Sequence, residues 1–532
     1  MKTPIGLTLN LGDRWSVNGA TATRGHASLR GVPLEGQAFA SVAAAQPIAR
    51  LLVAADGGYA AVQVAEDGVS AGVDRIRSVP LFYARGDGQM YLSDDAYWIA
   101  AQLPPQPFDA VAQAEFLAVG YVTGPDTLHP RIKQLQAGEM LTVKMSNPVT
   151  LTTERYFTYR HGQDHEESPE AILDRWETTL RGIIERLVRS AAGRTVVVPL
   201  SGGLDSRLLV MELKRLGYDR IQTFTYGVPG NAEASVAKEV AGQLGVPWQP
   251  IEYSRAGWRH AFHSPEFADY VRYADGLSTV AHVQDWPAVW ELHAGGQVPA
   301  DAIFVPGHNG GFLFGDWENG DLHRMARPSI DDLIRNLERV HYHNWRLRDQ
   351  RLRSLVRKRL VDSLRDLVID GPEAATSAWE WWEWQERQSK FMCNAVRVYE
   401  FWGYDWRMPF WDREAINFWE RVPIQLRARS RLHRAYVARA SERAGLHLPP
   451  SDQLRSLRSA LMRDYLPERV KVVARRIRGL AAGRMYREHP MAWYGIVSLE
   501  QFRKVYSGTE TINSILALHR LGLLPSADEE RG

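Results

Sequence analysis

The segment Thr195-Val-Val-Val-Pro-Leu-Ser-Gly-Gly-Leu-Asp-Ser206, running on into Arg207-Leu-Leu-Val-Met-Glu-Leu213, constrains the fold more than any other part of the chain. It reads as a buried strand, a tight Ser-Gly-Gly turn and a helix that starts at that turn. Gly202 and Gly203 let the backbone turn sharply and approach a ligand with no Cβ in the way. The free N–H groups of the first helical turn and the positive end of the helix dipole face into the turn. Such a cradle suits an oxyanion of phosphate or pyrophosphate. Asp205 adds a carboxylate where a Mg²⁺ ion would be wanted beside it.

The surrounding pattern makes this a parallel-sheet unit. From Pro169 a helix with apolar positions at Ile172, Trp176, Leu180, Ile183, Ile184 and Leu187 leads into the strand. A second strand, Arg220–Tyr226, ends at Gly227, followed by a helix over Glu233–Leu244 and a strand at Trp248–Glu252. Strand and helix alternate, which predicts a parallel sheet with helices on both faces. Beyond about Ser329 the chain reads as mostly helical. The first 160 or so residues read as β-rich, with strands at Leu51–Ala55, Gly58–Val64, Leu81–Ala84 and Gln89–Leu92. A helix over Phe108–Val119 and a closing hairpin over Glu139–Lys144 and Val149–Thr153 complete that half. The polar stretch 161–168 reads as a linker, giving domains over 1–160 and 168–532.

At 532 residues the chain exceeds one ordinary core. No run of about 18 apolar residues predicts a spanning helix. The N-terminus lacks a signal-peptide pattern, and Cys393, the single cysteine, rules out an internal disulfide and fits a reducing cytoplasm. Cys393 sits in a helix-like stretch with no catalytic partner apparent. Charge is uneven: between Arg421 and Pro490 there are 17 Lys/Arg against 5 Asp/Glu. That region reads either as solvated helix faces or as a surface that attracts anions, an anionic membrane face included. Glu468–Leu480 is basic and amphipathic enough for an interfacial helix. No nucleic-acid motif or aromatic platform accompanies it, so a nucleic-acid partner is not expected. The sequence leaves the oligomeric state open, a homodimer among the options.

The Ser201–Ser206 run resembles the Ser-Gly-Gly-x-Asp-Ser loop of the N-type ATP pyrophosphatases, with Leu204 at the variable place. It is not a Walker A loop, because no Gly-Lys-Ser/Thr follows. Further matches extend the resemblance over nearly the whole chain, to the asparagine synthetase superfamily. Val73–Ala84 followed by Leu92-Ser-Asp-Asp95, Gly120–Leu128 and Gln134–Met140 are similar to that family's glutaminase domain. Thr223–Gly227 and Tyr404–Asp412 are similar to its synthetase domain. The resemblance implies an α/β fold: a glutaminase-like αββα (Ntn-type) domain, then a parallel-sheet ATP-pyrophosphatase domain with a mostly helical C-terminal part. The family's glutaminase nucleophile is an N-terminal cysteine. Here position 2 is Lys and no cysteine precedes Cys393, so glutamine hydrolysis is not expected and the N-terminal half is read as a structural partner.

The stretch Val305-Pro-Gly-His-Asn-Gly-Gly-Phe-Leu-Phe-Gly315 departs from the family's Ser-Gly-Glu-Gly-x-Asp-Glu segment. His308 takes the first acidic place, and Gly311 and Phe312 the last two. This version looks like asparagine-synthetase-like proteins encoded with bacterial surface-polysaccharide genes, where amidation of uronic-acid carboxylates is a suggested role. The resemblance implies ATP and Mg²⁺, a small carboxylate substrate and ammonia or an amine donor. Ser201, Gly202, Gly203, Leu204, Asp205, Ser206, Tyr226, Gly227 and Gly307 would contact the nucleotide, with Tyr226 and Gly227 near adenine. Asp205 and Asp275 would hold the metal. Asp205, His308, Arg397 and Arg407 are the catalytic candidates. His308 reads equally as a structural imidazole, and each arginine as a helix-packing ion pair. Arg455 and Arg458 fall where the family has a catalytic lysine. Two alternatives share the scaffold: an intramolecular cyclase similar to β-lactam synthetases or lasso-peptide cyclases, and a nucleotide-binding scaffold without catalysis.

Overall fold

A computed structural model describes residues 1–86, 88–162, 165–316, 322–447, 482–506 and 511–525. The N-terminal half stacks two sheets. A seven-stranded antiparallel sheet runs Thr150–Arg155, Glu139–Lys144, Gly68–Val73, Asp56–Ala65, Thr21–Leu29 and Ser16–Asn18, with Val32–Glu35 also against Thr21–Leu29. A four-stranded sheet runs Leu7–Asn10, Gln89–Ser93, Phe82–Gly86 and Ile132–Gln134. Apolar side chains that alternate along the strands, among them Val62, Ala71, Leu92 and Leu141, fill the space between the sheets. The helices Gly36–Ala44 and Ile48–Ala54 cover the outer face of the larger sheet, and Ala96–Gln102 and Ala110–Val119 pack on the smaller one. The layer order is αββα, as the resemblance implied.

One expected strand is a helix. Leu51 to Ala54 of the expected Leu51–Ala55 strand belong to the helix Ile48–Ala54, entered from Pro47, and Ala55 is its extended C-cap. Ile48, Leu51 and Leu52 are buried and Val53 is exposed, a spacing of three and four that fits a helix face and not a strand. The stretch 161–168 is also less loose than a linker. The Gly162 N–H donates to Glu420 O at 3.0 Å and the His165 N–H to Arg421 O at 2.7 Å, pinning its described residues to the second half.

That half is built on a five-stranded, all-parallel sheet ordered Trp248–Glu252, Ile221–Gly227, Val196–Pro199, Ile303–Phe304, Asp405–Trp406. The chain starts at the centre, winds outward one way, then returns to the other side. The direction therefore reverses between Val196–Pro199 and Ile303–Phe304, and loops leaving the carboxyl ends of those two neighbours part to form a crevice. The helix Pro169–Ala191 covers the sheet with all six expected apolar positions buried. Its start is capped by the Ser168 hydroxyl, which accepts from the Ala171 N–H. No helix among the described residues is long and apolar enough to cross a membrane. The amphipathic stretch 468–480, Arg455 and Arg458 lie outside the described residues.

Glu400 ties the halves together. Its carboxylate accepts from Arg24 at 3.1 Å, from the Tyr273 hydroxyl at 3.0 Å and from Arg397. Burial alone would raise the Glu400 carboxyl, but Arg397 and Arg24 outweigh it and hold it down to about 2. A folded value below the ordinary one stabilises at neutral pH, and that contribution fades as pH falls from about 4.5 towards 2. Glu400→Gln would leave guanidinium charge buried without its counter-ion, so we expect a loss of about 3 kcal/mol in denaturant unfolding at pH 7. The deficit relative to wild type should shrink as the pH drops below 4.

Candidate functional site

The strand Val196–Pro199 delivers the chain to the crevice, and the helix Leu204–Arg215 begins there. Gly203 stands at the N-cap and supplies no side-chain cap, so the first-turn N–H groups stay available to a ligand. The two serines shape the turn. The Ser201 N–H donates to Ser206 Oγ at 3.1 Å, the Gly203 N–H to Ser201 Oγ at 3.1 Å, and the two hydroxyls lie 3.2 Å apart. At Gly202 a Cβ would come 3.2 Å from the Glu233 Cα, a close approach that explains why glycine stands there.

A second turn follows Ile303–Phe304 and presses on the first. A Cβ at Gly307 would fall 2.8 Å from the Ser206 nitrogen, and one at Gly310 would overlap the Asp205 carboxylate. Gly307 thus packs directly against the loop. Asp205 is also held from a third direction. His433 Nε2 lies 2.9 Å from Asp205 Oδ1, and the His433 ring stacks on Phe314 with centroids 3.8 Å apart. His433, on the helix Arg431–Arg443, was not among the residues singled out from sequence. Its only signal was a histidine inside the basic region that begins at Arg421.

Other expected members stand apart from the loop. Both oxygens of Asp275 accept from the Tyr97 hydroxyl at 2.8 Å, and Oδ2 also from Arg520 at 2.6 Å. Asp275, expected as a second metal carboxylate, is thus paired with Arg520 and stands apart from Asp205. Arg397 pairs with Glu400 and donates to Ser78 O at 2.8 Å. Arg407 pairs with Glu35 and donates to Ser190 Oγ at 3.1 Å. Both arginines are held in ion pairs, one of the two readings each carried. The Tyr226 hydroxyl donates to buried Asp285 at 2.6 Å, which also accepts from Tyr399 at 2.7 Å. At the end of the same strand, Gly227 O accepts from the Tyr253 N–H and the Val228 N–H donates to Pro490 O, both at 2.8 Å. The Gly227 carbonyl and the Tyr226 hydroxyl, both on residues expected near adenine, are therefore paired within the chain.

His308 lies on the second turn, its ring centroid 5.8 Å from that of His282. Burial lowers its pKa, against the opposing field of Asp285, so the imidazole is neutral at pH 7. Its Nδ1 is buried without a hydrogen-bond partner among the described residues. Phe312 is buried and stacks on Trp411 at 5.7 Å, so this position serves the core. Gly311 is different: it is exposed, and a Cβ there would meet open space. It opens into a cavity of about 470 Å³ lined by Asn309, Asp316, Arg387, Gln388 and Phe391, among others. Three of these sit on or beside a π-helix, Glu383–Met392, a geometry that often marks a functional site.

The residues present fit a bound Mg²⁺ only through Asp205. Among the described residues no cluster of three or more His, Cys, Asp or Glu side chains could hold a metal. One protein carboxylate completed by substrate phosphates is nonetheless an ordinary arrangement for this ion.

The loop, the switch-point crevice and the parallel sheet define an N-type pyrophosphatase-like unit, and comparison names the class. Residues 179–281 match the asparagine synthase family model, and over this segment the chain resembles the asparagine synthetase superfamily. The chain is 25% identical over 174 residues to asparagine synthetase [glutamine-hydrolyzing] 1 of Bacillus subtilis (strain 168), a match covering 31% of this chain and 26% of that protein. A shorter match, 31% identical over 78 residues, is to a tRNA-specific 2-thiouridylase of Coxiella burnetii (strain RSA 493 / Nine Mile phase I), covering 13% of this chain and 22% of that protein. The chain thus spans about a quarter of the length of these relatives.

The two neighbouring glycines give opposite predictions. Gly310→Ala must displace the Asp205 carboxylate and should cost about 1–3 kcal/mol. Gly311→Ala adds a methyl group in open space and should change stability by less than about 0.5 kcal/mol. Thermal unfolding of the two variants beside wild type checks both.

Proposed function

We propose that the chain is an ATP-dependent ligase that activates a carboxylate as an acyl-adenylate and passes it to ammonia or an external amine. The observation that carries this is the clamp on Asp205: the turn of Gly307 and Gly310 on one side, His433 on another, and an uncapped helix start beside it. In the first step a substrate carboxylate oxygen attacks the α-phosphorus of ATP, the bond to the bridging oxygen breaks, and pyrophosphate leaves. The first-turn N–H groups with Ser201 and Ser206 would hold that leaving group, an electrostatic role that needs no reorganisation during reaction. Mg²⁺ bound beside Asp205 would supply charge neutralisation for the phosphates. In the second step the amine nitrogen attacks the acyl carbon, the C–N bond forms and AMP departs. The neutral imidazole of His308 is suited to take the proton released by the amine.

The cavity beside Gly311 is the favoured acceptor site. Phe391 offers an apolar face, Asn309 and Gln388 offer amides, and Arg387 offers a guanidinium, a set that suits a sugar bearing a carboxylate. Amidation of a uronic acid in surface-polysaccharide synthesis is the reading we favour for substrate. Ammonia or an amine, not glutamine, is the nitrogen source, because no cysteine precedes Cys393, which is itself fully buried with its thiol pKa pushed up. A second reading, a nucleotide-binding scaffold, is favoured by one observation: Phe312 packs in the core where the family pattern has an acidic group.

The deciding measurement is carboxylate-dependent ATP–pyrophosphate exchange with a panel of uronic acids and amino acids. We expect exchange with a uronic acid, reduced at least a hundredfold by Asp205→Ala, and product amide with ammonia but not with glutamine. ATP binding with no exchange across the panel would favour the scaffold. Exchange that survives Asp205→Ala would remove the clamp from the mechanism.

A further inference from the structure

A second cavity, of about 530 Å³, lies between the two halves, away from the Ser201 loop. Three guanidinium groups line it and are nearly buried: Arg24 at 7% exposure, Arg77 at 5% and Arg397 at 3%. Two of them are neutralised. Arg24 pairs with Asp94 at 2.6 Å and with Glu400 at 3.1 Å, and Arg397 pairs with Glu400. Asp275, on the same wall, is neutralised by Arg520.

Arg77 is the exception. Its Nε donates to Leu135 O at 2.9 Å and its guanidinium carbon lies 5.6 Å from the centre of the Phe82 ring. Its two outer nitrogens have no acceptor, and the side chain no carboxylate partner, among the described residues. Beside Cys393, whose buried thiol has its own pKa pushed up, the carboxylates whose fields reach it are Glu386 and Asp74, and both are already used. Glu386 pairs with Lys390, and Asp74 accepts from the Ile76 and Tyr59 N–H groups and from Ser78. Burial and the neighbouring Arg397 push the Arg77 pKa down to about 9, the mark of a cation lacking its counter-ion. The backbone adds a second cost. Arg77 sits at φ 55°, a left-handed conformation that disfavours any side chain of this size. A buried, unpaired guanidinium on a strained backbone is an arrangement that persists at binding sites.

We propose that this interdomain cavity is a binding site for the carboxylate group of a small metabolite, which Arg77 grips through its two outer nitrogens. A planar carboxylate matches the guanidinium fork in a bidentate pair. Arg77 is the buried cation that needs one negative charge; the two remaining lining arginines, Arg14 and Arg272, are exposed to solvent. A phosphate dianion would add a second charge among Asp94, Asp95, Asp275 and Glu400, which also line the cavity. This site is separate from the proposed acceptor pocket and does not depend on the ligase reading.

The test uses the full-length chain and acetate as the probe, read by saturation transfer to its methyl protons, with phosphate and chloride as competitors at matched ionic strength. We expect acetate to bind wild type, to be displaced weakly by phosphate and not by chloride, and to raise the unfolding temperature by ~2 °C or more. Arg77→Gln should weaken acetate binding at least tenfold and abolish the thermal shift. Arg77→Gly, which relaxes the left-handed backbone, serves where the glutamine variant folds poorly. Acetate binding unchanged in both variants would overturn the proposal. So would displacement by chloride, or binding of phosphate alone.

Discussion

Arg427 is the residue on which the geometry of the second half turns. It has no exposure; it donates to Oε2 of equally buried Glu380 at 3.0 Å, and Oε1 of that carboxylate lies 2.9 Å from its other outer nitrogen in the same ion pair. It also donates to the Tyr159 hydroxyl at 3.0 Å and to Leu313 O at 3.2 Å. One side chain thus joins the helix Pro372–Trp382, the end of the N-terminal half and the turn that carries Gly307, His308 and Gly310. Gly315, at φ 84°, lets that turn close on the Arg427 carbonyl, where a Cβ would overlap it. A buried pair of this kind contributes little net stability against an apolar replacement, but losing one partner is expensive. Its value here is positional: it fixes where the second turn lies, and so fixes the contacts on Asp205.

The sheet order makes those contacts possible. The strands Val196–Pro199 and Ile303–Phe304 are hydrogen-bonded neighbours, but their following segments belong to opposite winding directions. A crevice opens between the segments because neither crossover covers it. Glycine stands wherever the two segments meet, at Gly307 and Gly310, because the facing surface is the helix backbone and a carboxylate with no room to move. The same economy of space explains why Gly311, one residue on, points into a cavity: the short helix turns it away from Asp205.

What was readable from sequence is what repeats or turns locally. The strand–Gly-Gly–helix, the spacing of Ile172 to Leu187, the parallel strands and the inert character of Cys393 all follow from neighbouring residues. Leu51 misled because a run of short apolar residues fits either period, and burial of Ile48 with Leu52 decided for the helix. Asp275 and His433 were illegible for another reason. Their partners, Arg520 and Asp205, lie 245 and 228 residues away, and an ion pair across such a distance leaves no local pattern. Asp275 resembled a family metal ligand, but the chain supplies a cation, Arg520, where a metal was expected. Arg397 and Arg407 carried two readings from sequence alone, and only Glu400 and Glu35 choose between them.

The N-terminal half has a structural role at the sheet edge it covers. Asp405–Trp406 is the last strand on its side, and a bare edge of this kind is a template for unwanted pairing. The N-terminal half packs against it. Trp406 meets His26 edge-on at 4.9 Å and sits so close to Gly58 that no Cβ would fit there. Glu35 neutralises Arg407, the residue that follows the strand, and reaches Arg194, which also pairs with Asp405 at 2.7 Å. The Arg413 N–H donates to Asp56 and the Trp384 indole to Arg75 O, at 3.0 and 2.8 Å. Without these groups the second half would carry a buried guanidinium lacking its counter-ion and an uncovered strand, two liabilities that local substitution could not remove together. The N-terminal half is therefore part of what holds the loop of the other half in place.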